Sequence, residues 1–362
     1  MQLTTKVKLY PTEEQRKLLF DTMKLYNEAC NRISEIAFNA DSKKQFDIHR
    51  LCYNTIREEF PTLSSQMVVR AIAKVSGQMK REFVQHTFKP LGAIQYDSRL
   101  FSFKAVDEVS LWCIGGRQRI KMIMTGYQKK TAYESKKQAN LVFIDNQFYL
   151  LVVIDTDEKE PIITDKVIGV DFGIVKIATL NDSTSFDGAI VESVRKKYAK
   201  LRASLQKRGT KSAKRKLKKI SKKESRFRRD LNHQISKKIV AKAKGTNSNI
   251  SIENLKGIRS GTTVRKSQRA KHHSWSFFQL REFIEYKAKL SGITVFVIDP
   301  KYTSQQCRKC GNISRSNRKS QSIFKCTACG FTDNADVNAS FNIASRAVSF
   351  GSKVNQPIVA SA

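Results

Sequence analysis

The chain has 362 residues, of which 40% are apolar and 27% charged, so it is long enough for two or three domains with real cores. Its 67 Lys and Arg residues against 32 Asp and Glu residues give a net charge of +35. Such an excess of one sign favours a polyanionic partner, with nucleic acid as the first expectation. The longest apolar runs, such as 148–154, are far shorter than the ~20 residues of a bilayer span, so we expect no membrane partner.

The first ninety residues combine one strand with helical patterning. Residues 3–9 are a predicted strand, and Thr12 precedes apolar residues that recur at helical spacing. Helical patterning continues further, which predicts a small all-α unit over 11–90. The start of the sequence carries no apolar leader pattern, so we expect a protein of the reducing cytoplasm.

The pattern changes to short β-like runs between residues 94 and 154. Asp145 and Asn146 are typical turn residues, and they predict a hairpin between the last two of these runs. We expect the runs to form a small antiparallel barrel or sheet that the strand over 3–9 completes.

A new unit begins at Asp165 with the apolar strand VIGVD, which predicts a buried strand. A partner strand over 176–180 and a third strand near Ala189 are expected to follow it. Three later elements complete the pattern, namely a strand over 249–253, a helix over about 274–290 and a strand over 294–298. This order resembles the ribonuclease H architecture, in which carboxylates from different strands meet at one edge of a mixed sheet.

The most basic part of the chain, residues 195–244, interrupts that pattern. It holds about twenty Lys and Arg residues against two acids, far from the mixed charges of an ordinary solvated helix. Its apolar spacing predicts two helices joined near Gly209. Contact with a nucleic-acid backbone explains such a density of cations, although any single lysine could equally face solvent.

Four of the seven cysteines form the pattern C-x2-C-x15-C-x2-C, and they are Cys307, Cys310, Cys326 and Cys329. This spacing lets two thiolate turns enclose one tetrahedral zinc ion. Four thiolates leave no open position for a substrate, so we expect a structural site in a short ribbon over 303–331. The other three cysteines are expected to be core residues.

Acidic residues stand at three places that suit a second metal site. Asp171 ends the strand VIGVD and Glu253 ends the strand NISIE, whereas Asp333 and Asp336 precede a short predicted helix. An acid at a strand end is more often a cap or an ion-pair partner, and an Asp at a helix start is normally an N-cap. Converging carboxylates would nevertheless suit Mg²⁺, which prefers oxygen ligands. Two such ions about 3.5–4 Å apart could activate a water and stabilise the leaving 3′ oxygen of a phosphodiester.

Other polar and aromatic residues admit two interpretations each. Trp275, Phe277 and Phe278 could stack on bases, but their helical spacing favours packing against the sheet. His272 and His273 are expected in phosphate contacts or loops rather than as general bases. A basic group between the cysteine pairs, Arg315, Arg318 and Lys319, would suit phosphate contact or simply be solvated.

Taken together, these motifs closely resemble TnpB, the OrfB-type proteins that insertion-sequence transposons encode. The resemblance covers nearly the whole chain, and its motifs are KVKLYPTEEQRKLL, VIGVDFG, SIENL, WSFFQLREFIEYKAKLSGI, KYTSQQCRKCG, CTACG and DNADVNASFNIA. It implies an RNA-guided DNA endonuclease related to the compact type V CRISPR effectors. The implied metal-binding triad is Asp171, Glu253 and Asp336. Asp336 is chosen over Asp333 because the family acid directly precedes x-N-A, which makes Asp333 a residue of the turn that leaves the ribbon.

The resemblance also implies an α+β multidomain architecture. Its parts are a wedge-like β-barrel over 1–10 and 91–164, a helical recognition lobe over 11–90, a RuvC-like nuclease domain of ribonuclease H fold over 165–302 and 332–362, and an inserted zinc ribbon over 303–331. The implied partners are a guide RNA and double-stranded target DNA beside a short adjacent motif, with structural Zn²⁺ and catalytic Mg²⁺. A monomeric ribonucleoprotein in the cytoplasm of a prokaryotic host, associated with the nucleoid, is expected.

Two other functions fit the same scaffold. One is an RNA-guided DNA-binding repressor that does not cut, and the presence of all three acids of the triad argues against it. The other is a transposase that joins DNA strands by transesterification, because carboxylate triads on ribonuclease H folds serve that chemistry too. A transposase would act on transposon ends without RNA, whereas the nuclease would be inert without its guide.

Overall fold

The computed structural model describes residues 1–126, 138–255 and 277–354, with side chains to residue 348. The chain divides into two compact units, Met1–Asp157 and Glu158–Ala362. No helix in the described ranges is long and apolar enough to cross a membrane.

The first unit contains a seven-stranded antiparallel sheet in the order β2-β6-β7-β1-β5-β4-β3. Its strands are β1 (Gln2–Tyr10), β2 (Ile94–Asp97), β3 (Phe101–Ala105), β4 (Glu108–Cys113), β5 (Gly116–Ile123), β6 (Gln138–Ile144) and β7 (Gln147–Asp155). Between β6 and β7, Asp145 and Asn146 have φ angles of 54° and 62°, the left-handed values of a tight hairpin turn, so the predicted hairpin is confirmed. In the described ladders β2 and β3 are edges, so the sheet lacks the closing ladder that the expected barrel requires.

Three helices lie between β1 and β2, namely α1 (Glu13–Asn39), α2 (Gln45–Glu59) and α3 (Ser65–Met79). A capping box starts α1, because the Thr12 hydroxyl accepts from the Gln15 amide while the Gln15 side chain accepts from the Thr12 amide. One continuous cluster of buried side chains includes residues of all three helices and of the sheet. The helices therefore share their core with the sheet.

The second unit is built on a mixed five-stranded sheet in the order β10-β9-β8-β11-β12. Its strands are β8 (Val167–Asp171), β9 (Lys176–Leu180), β10 (Ser185–Asp187), β11 (Asn249–Glu253) and β12 (Val295–Ile298). The strands β8, β11 and β12 run parallel, whereas β9 and β10 are antiparallel to their neighbours. The carboxyl ends of β8 and β11 therefore lie side by side.

Four helices are described in this unit, namely α4 (Ala189–Arg208), α5 (Lys211–Gly245), α6 (Phe277–Leu290) and α7 (Ala335–Val354). The predicted helix pair of the basic segment is confirmed, and Gly209 between the two helices has a φ of 65° that suits glycine. The third strand predicted near Ala189 is present as β10, and α4 starts two residues after it, where the Asp187 carboxylate accepts from the Ala189 amide. The prediction of a short terminal helix is wrong, because buried apolar residues continue to Ala347.

A cysteine-containing ribbon lies between β12 and α7. It has a 3-10 turn (Arg315–Asn317) and a two-stranded ladder of β13 (Ile323–Lys325) with β14 (Thr332–Asn334). Its small buried cluster contains Cys307, Phe324, Cys326 and Ala335. A core of this size is too small to hold a fold alone, so the ribbon needs a further restraint.

Candidate catalytic centre and zinc site

The four cysteines of the ribbon meet at one point. The sulfur atoms of Cys307 and Cys329 are 3.8 Å apart, those of Cys310 and Cys326 are 3.5 Å apart, and all four lie within 4.8 Å of one another. Tetrahedral zinc with Zn–S bonds of about 2.3 Å sets its sulfurs about 3.8 Å apart. The donor set and its spacing therefore fit one zinc ion.

Backbone geometry prepares the cysteines for this role. Gly311 and Gly330 have φ angles of 75° and 71°, and each amide donates to the carbonyl of the first cysteine of its pair. The amide of Cys329 also donates to the sulfur of Cys326 at 3.5 Å, and this is the largest of several hydrogen bonds that, against burial, lower the pKa of the Cys326 thiol to about 6. A thiolate is the form that binds zinc.

Two asparagines fasten the ribbon to α7. Asn338 is fully buried, and it accepts from the Arg308 amide at 3.1 Å and donates to the Gln306 carbonyl at 2.8 Å. Asn342, one turn later, donates to the carbonyls of Thr303 and Gln306 at 2.8 and 2.7 Å. Neither asparagine was predicted as a site residue from the sequence. The signal was two amides spaced i, i+4 on the apolar face of a helix, where a buried amide requires partners.

The three predicted triad acids come from three different elements. Asp171 ends β8 and Glu253 ends β11, and the parallel register of these strands, with Val170 opposite Ile252, makes the two acids neighbours. Asp336 lies in the first turn of α7. A sheet edge formed by two parallel strands and a helix start therefore carries all three carboxylates.

Direct backbone packing positions α7 on β8. A Cβ atom on Gly169 would lie 1.9 Å from the Ser340 carbonyl oxygen and 2.7 Å from the Ala344 amide nitrogen. Only glycine permits this approach. The Ser251 hydroxyl of β11 also donates to the Ile343 carbonyl at 2.9 Å. These contacts fix the helix that carries Asp336 against the strands that carry the other two acids.

Electrostatic interactions also connect the three acids. Burial raises the pKa of Asp171 well above its usual range, and the charges of Glu253 and Asp336 raise it further, while Arg318 opposes them. Burial likewise raises the pKa of Glu253, against a lowering hydrogen bond that the Thr303 hydroxyl donates to Oε1. Buried carboxylates that repel one another are stabilised by a cation among them.

The structure supplies one cation from the ribbon. Nη2 of Arg318 lies 3.2 Å from Oδ1 of Asp336 and donates also to the Gln321 carbonyl. From the sequence, Arg318 was predicted only as one of three basic residues between the cysteine pairs that contact phosphate or are solvated. Asp333 instead pairs with Arg308 at 2.9 Å. The expected turn at Asp333 is wrong, because this residue pairs with Phe324 in the ladder of β13 and β14.

The helix cap at α7 also differs from the expected Asp cap. Asn334 Oδ1 accepts from the amides of Asp336 and Val337, which leaves the Asp336 carboxylate available to Arg318. The three acids offer only oxygen donors, as magnesium requires. In the described part of the chain, only the cysteine group has three or more ligand atoms within 4.8 Å of one another.

Two known families match this chain, and the matched residues together include all three acids of the candidate centre. Residues 149–259, with Asp171 and Glu253, match the OrfB_IS605 family, described as a probable transposase. Residues 277–343, with the ribbon and Asp336, match the Cas12f1-like TNB domain. A TnpB-like protein of Methanocaldococcus jannaschii is 29% identical over 254 residues, which cover 64% of this chain and 88% of that protein. These matches together support a TnpB-type protein.

Two other relatives match this chain over only part of their own length. The CRISPR-associated endodeoxyribonuclease Cas12f1 of Syntrophomonas palmitatica is 38% identical over 46% of this chain and 36% of its own length. The putative RNA-guided DNA endonuclease InsQ of Escherichia coli is 28% identical over 54% of this chain and 53% of its own length. The chain thus spans about a third to a half of the length of these two relatives.

One solved structure shows the same fold. A chain from a Cas12f1-sgRNA-target DNA complex superposes with a TM-score of 0.66 at 14% identity, and the match covers 95% of this TnpB-type chain and 98% of that chain. At this identity the likeness concerns the fold alone.

Three residues of interest from the sequence analysis, His272, His273 and Trp275, lie outside the described residues. The two neighbouring phenylalanines are described, and they differ. Phe277 packs with its ring centroid 6.2 Å from that of Phe172, as the sequence analysis favoured. Phe278 is 61% exposed, so the packing prediction is wrong for this residue.

Proposed function

We propose that the chain is an RNA-guided DNA endonuclease that hydrolyses phosphodiester bonds with Mg²⁺ at Asp171, Glu253 and Asp336. The observation that carries this proposal is that β8, β11 and the start of α7 bring three carboxylates to one sheet edge, where the charges of Glu253 and Asp336 raise the pKa of Asp171. Strand ends and a helix start anchored by backbone packing hold the acids rigidly, as a hydrolytic metal site requires. The names of the Cas12f1 and InsQ relatives support nuclease activity on DNA directed by RNA.

The chain's own residues would act by binding and orienting. Bound Mg²⁺ would activate water and stabilise the leaving oxygen, so no histidine base is required. Glu253 keeps its orientation through the hydrogen bond from Thr303. Arg318 pairs with Asp336 and, with the ions bound, would be available to neutralise the phosphate. The site would thus bind a cation and an anion side by side.

The wider architecture supports nucleic-acid partners. The helices α4 and α5 carry most of the basic segment, and a small cluster of their own apolar side chains, Leu205, Ala213 and Ile220 with three partly buried neighbours, packs at their joined end. Such a hairpin offers long cationic faces for the phosphates of a guide RNA or a DNA target, and contact with phosphates adds affinity without reading sequence. Base pairing with the guide would then supply specificity.

The remaining assignments belong to the same proposal. The five-stranded unit is a RuvC-like ribonuclease H domain over 165–302 and 332–362, and residues 303–331 are its structural zinc ribbon. Residues 1–10 and 91–164 form the wedge, and 11–90 form the recognition lobe. We propose a monomeric ribonucleoprotein in the cytoplasm of a prokaryotic host, near the nucleoid, that cuts beside a short target-adjacent motif.

The test is cleavage by protein co-expressed with the DNA that flanks its gene. The purified complex is incubated with Mg²⁺ and a plasmid library. Each plasmid carries a target that matches the co-purified RNA, with a randomised sequence beside this target. We expect wild type to cut, Asp171→Asn to bind the target without cutting, and Asp182→Asn to cut normally. Asp182 is a matched control because it is 42% exposed and pairs with Lys242 away from the triad.

Two results would contradict the proposal. Binding of matched target without any cutting by wild type would identify a guided DNA-binding protein instead. Strand joining at transposon ends in the absence of RNA would identify a transposase.

A further inference from the structure

A shallow cleft lies directly beside the candidate catalytic centre. Its enclosed volume is about 20 Å³, so it is a depression in the surface rather than a deep pocket, and Glu253 is one of its walls. The other lining residues in the described part of the chain are mainly aromatic or apolar, with one cation, and they are Phe172, Leu255, Phe277, Phe278 and Arg281. Because this aromatic cleft shares Glu253 with the candidate catalytic centre, a molecule bound at the centre would lie next to the cleft.

The helix α6 determines which aromatic ring faces the cleft mouth. Leu280, Ile284 and Ala288 are fully buried at i, i+4 and i+8, so this face packs into the core. Phe277 lies one turn before Leu280 and packs near Phe172. Phe278 is turned about 100° from that face, as the helix repeat of 3.6 residues requires, and it is 61% exposed.

The cation of the cleft is held in place by two contacts. Nε of Arg281 pairs with Oε1 of Glu285 at 2.7 Å, and Nη1 donates to Oδ1 of Asn254 at 3.0 Å. Asn254 directly follows Glu253, so the guanidinium is fixed next to the strand end that carries the acid. Arg281 lies one turn from Phe278 on the same side of α6.

We propose that Phe278 stacks on a nucleobase next to the scissile phosphate and so positions the DNA strand on Asp171, Glu253 and Asp336. This inference rests on the proposed function, since it requires a DNA strand at the triad. The occupant is a nucleobase because the cleft is continuous with the centre through Glu253, and a strand with its phosphate there carries bases on either side. Stacking on an aromatic ring tolerates every base, as a guide-directed enzyme needs.

Arg281 complements this platform. With Nε and Nη1 engaged by protein, it still has N–H donors for a neighbouring phosphate of the same strand. Phe278 is thus a substrate-positioning residue, and its removal should slow cleavage while leaving guide RNA and target binding unchanged. A residue that only stabilised the fold would show no dependence on the base it faces.

The experiment is a cycle that pairs a protein change with a substrate change. The cut position is first mapped with wild-type ribonucleoprotein. Each of the two nucleotides on either side of the cut is then replaced by an abasic nucleotide, and single-turnover cleavage is compared for wild type and Phe278→Ala. We expect Phe278→Ala to slow cleavage at least about fivefold, the lower bound for stacking on one base. At one of these positions, the abasic nucleotide should slow cleavage by wild type by the same factor as Phe278→Ala slows cleavage of the intact substrate. At that position, Phe278→Ala should cleave the abasic substrate no more slowly than wild type does.

Two companion measurements separate stacking from folding. Phe278→Trp should restore cleavage, and Phe46→Ala is the matched control because Phe46 is 82% exposed on α2 of the other unit. In an Asp171→Asn background, 2-aminopurine at the coupled position should lose fluorescence on binding, and Phe278→Ala should abolish this loss.

The outcomes distinguish this inference from the function it rests on. Wild-type rates for Phe278→Ala, or slowing factors that multiply in the double change at all four positions, would overturn the stacking role while cleavage itself stands. No cleavage by wild type on matched target would overturn the proposed function and the stacking role with it.

Discussion

Replacing Gly169 by alanine tests the packing that assembles the three acids. The new Cβ atom would lie 1.9 Å from the Ser340 carbonyl oxygen, whereas ordinary contact begins at 3.4 Å. The obstructing atoms belong to the backbone of α7 and cannot rotate away. The helix and β8 must therefore separate by about 1.5 Å, because no side chain can relieve the contact.

The magnitude follows from this displacement. Overpacking in a core costs about 1–3 kcal/mol, and a clash of backbone against backbone belongs at the upper end, so we expect about 3 kcal/mol of lost unfolding free energy. Asp171 lies two residues beyond Gly169 on β8, and Asp336 lies one turn before Ser340 on α7. A misplacement of about 1 Å between catalytic groups can cost about 100-fold in rate, so cleavage should fall by at least that factor.

The assay combines urea denaturation, followed by circular dichroism, with cleavage of a matched target. Gly245→Ala is the control in the same unit, because nothing lies within 4 Å of its added Cβ and its φ is not positive. This control should gain up to about 1 kcal/mol, as glycine is unfavourable in a helix. An unchanged urea midpoint and an unchanged rate for Gly169→Ala would refute the packing argument.

Three further predictions concern the ribbon, the hairpin and α6. Removing zinc with a chelator, followed by excess Mg²⁺, should speed hydrogen exchange over 303–331 and abolish cleavage, and full cleavage after verified zinc loss would contradict the link to α7. Glu224→Ala should destabilise the α4–α5 hairpin by about 1–3 kcal/mol, because Glu224 is 7% exposed and pairs with Arg202, and unchanged hydrogen exchange over 189–245 would contradict this. Burial, with the nearby Lys237 charge, lowers the pKa of Lys287 from 10.5 to about 8. At this site the unfolded chain therefore binds more protons between pH 8 and 10, so the stability of wild type relative to Lys287→Met should rise with pH in this window, as the difference between their urea midpoints will show.

Local patterns in the sequence predict much of the site. The cysteine spacing alone identifies the ribbon, because four thiolates at two C-x2-C turns have few other uses. The apolar strands ending in Asp171 and Glu253 predict two acids at one sheet edge, because parallel neighbours end together. Asp336 could be separated from Asp333 only by the family resemblance, since both are acids near a helix start. Their different partners, Arg318 and Arg308, depend on how the ribbon folds.

Local sequence patterns do not predict contacts between residues that are far apart in the chain. The approach of α7 to β8 at Gly169 depends on helix and strand meeting across 171 residues of chain. The pairing of Arg318 with Asp336 requires the ribbon to fold back along α7, which Asn338 and Asn342 enforce. The strand near Ala189 was predictable, whereas the residue at which α4 starts depends on the hydrogen bond from the Ala189 amide to the Asp187 carboxylate.

The place of β1 in its sheet has a consequence for synthesis of the chain. This first strand pairs with β7 from Gln2 opposite Asp155 to Lys8 opposite Tyr149, and with β5 on its other side. It must wait until some 150 residues have been made before its main partner exists, about 8–30 s at 5–20 residues per second. During that interval α1, α2 and α3 have already left the ribosome with their apolar faces uncovered. The first unit is therefore most exposed to chaperones and proteases just before β7 emerges.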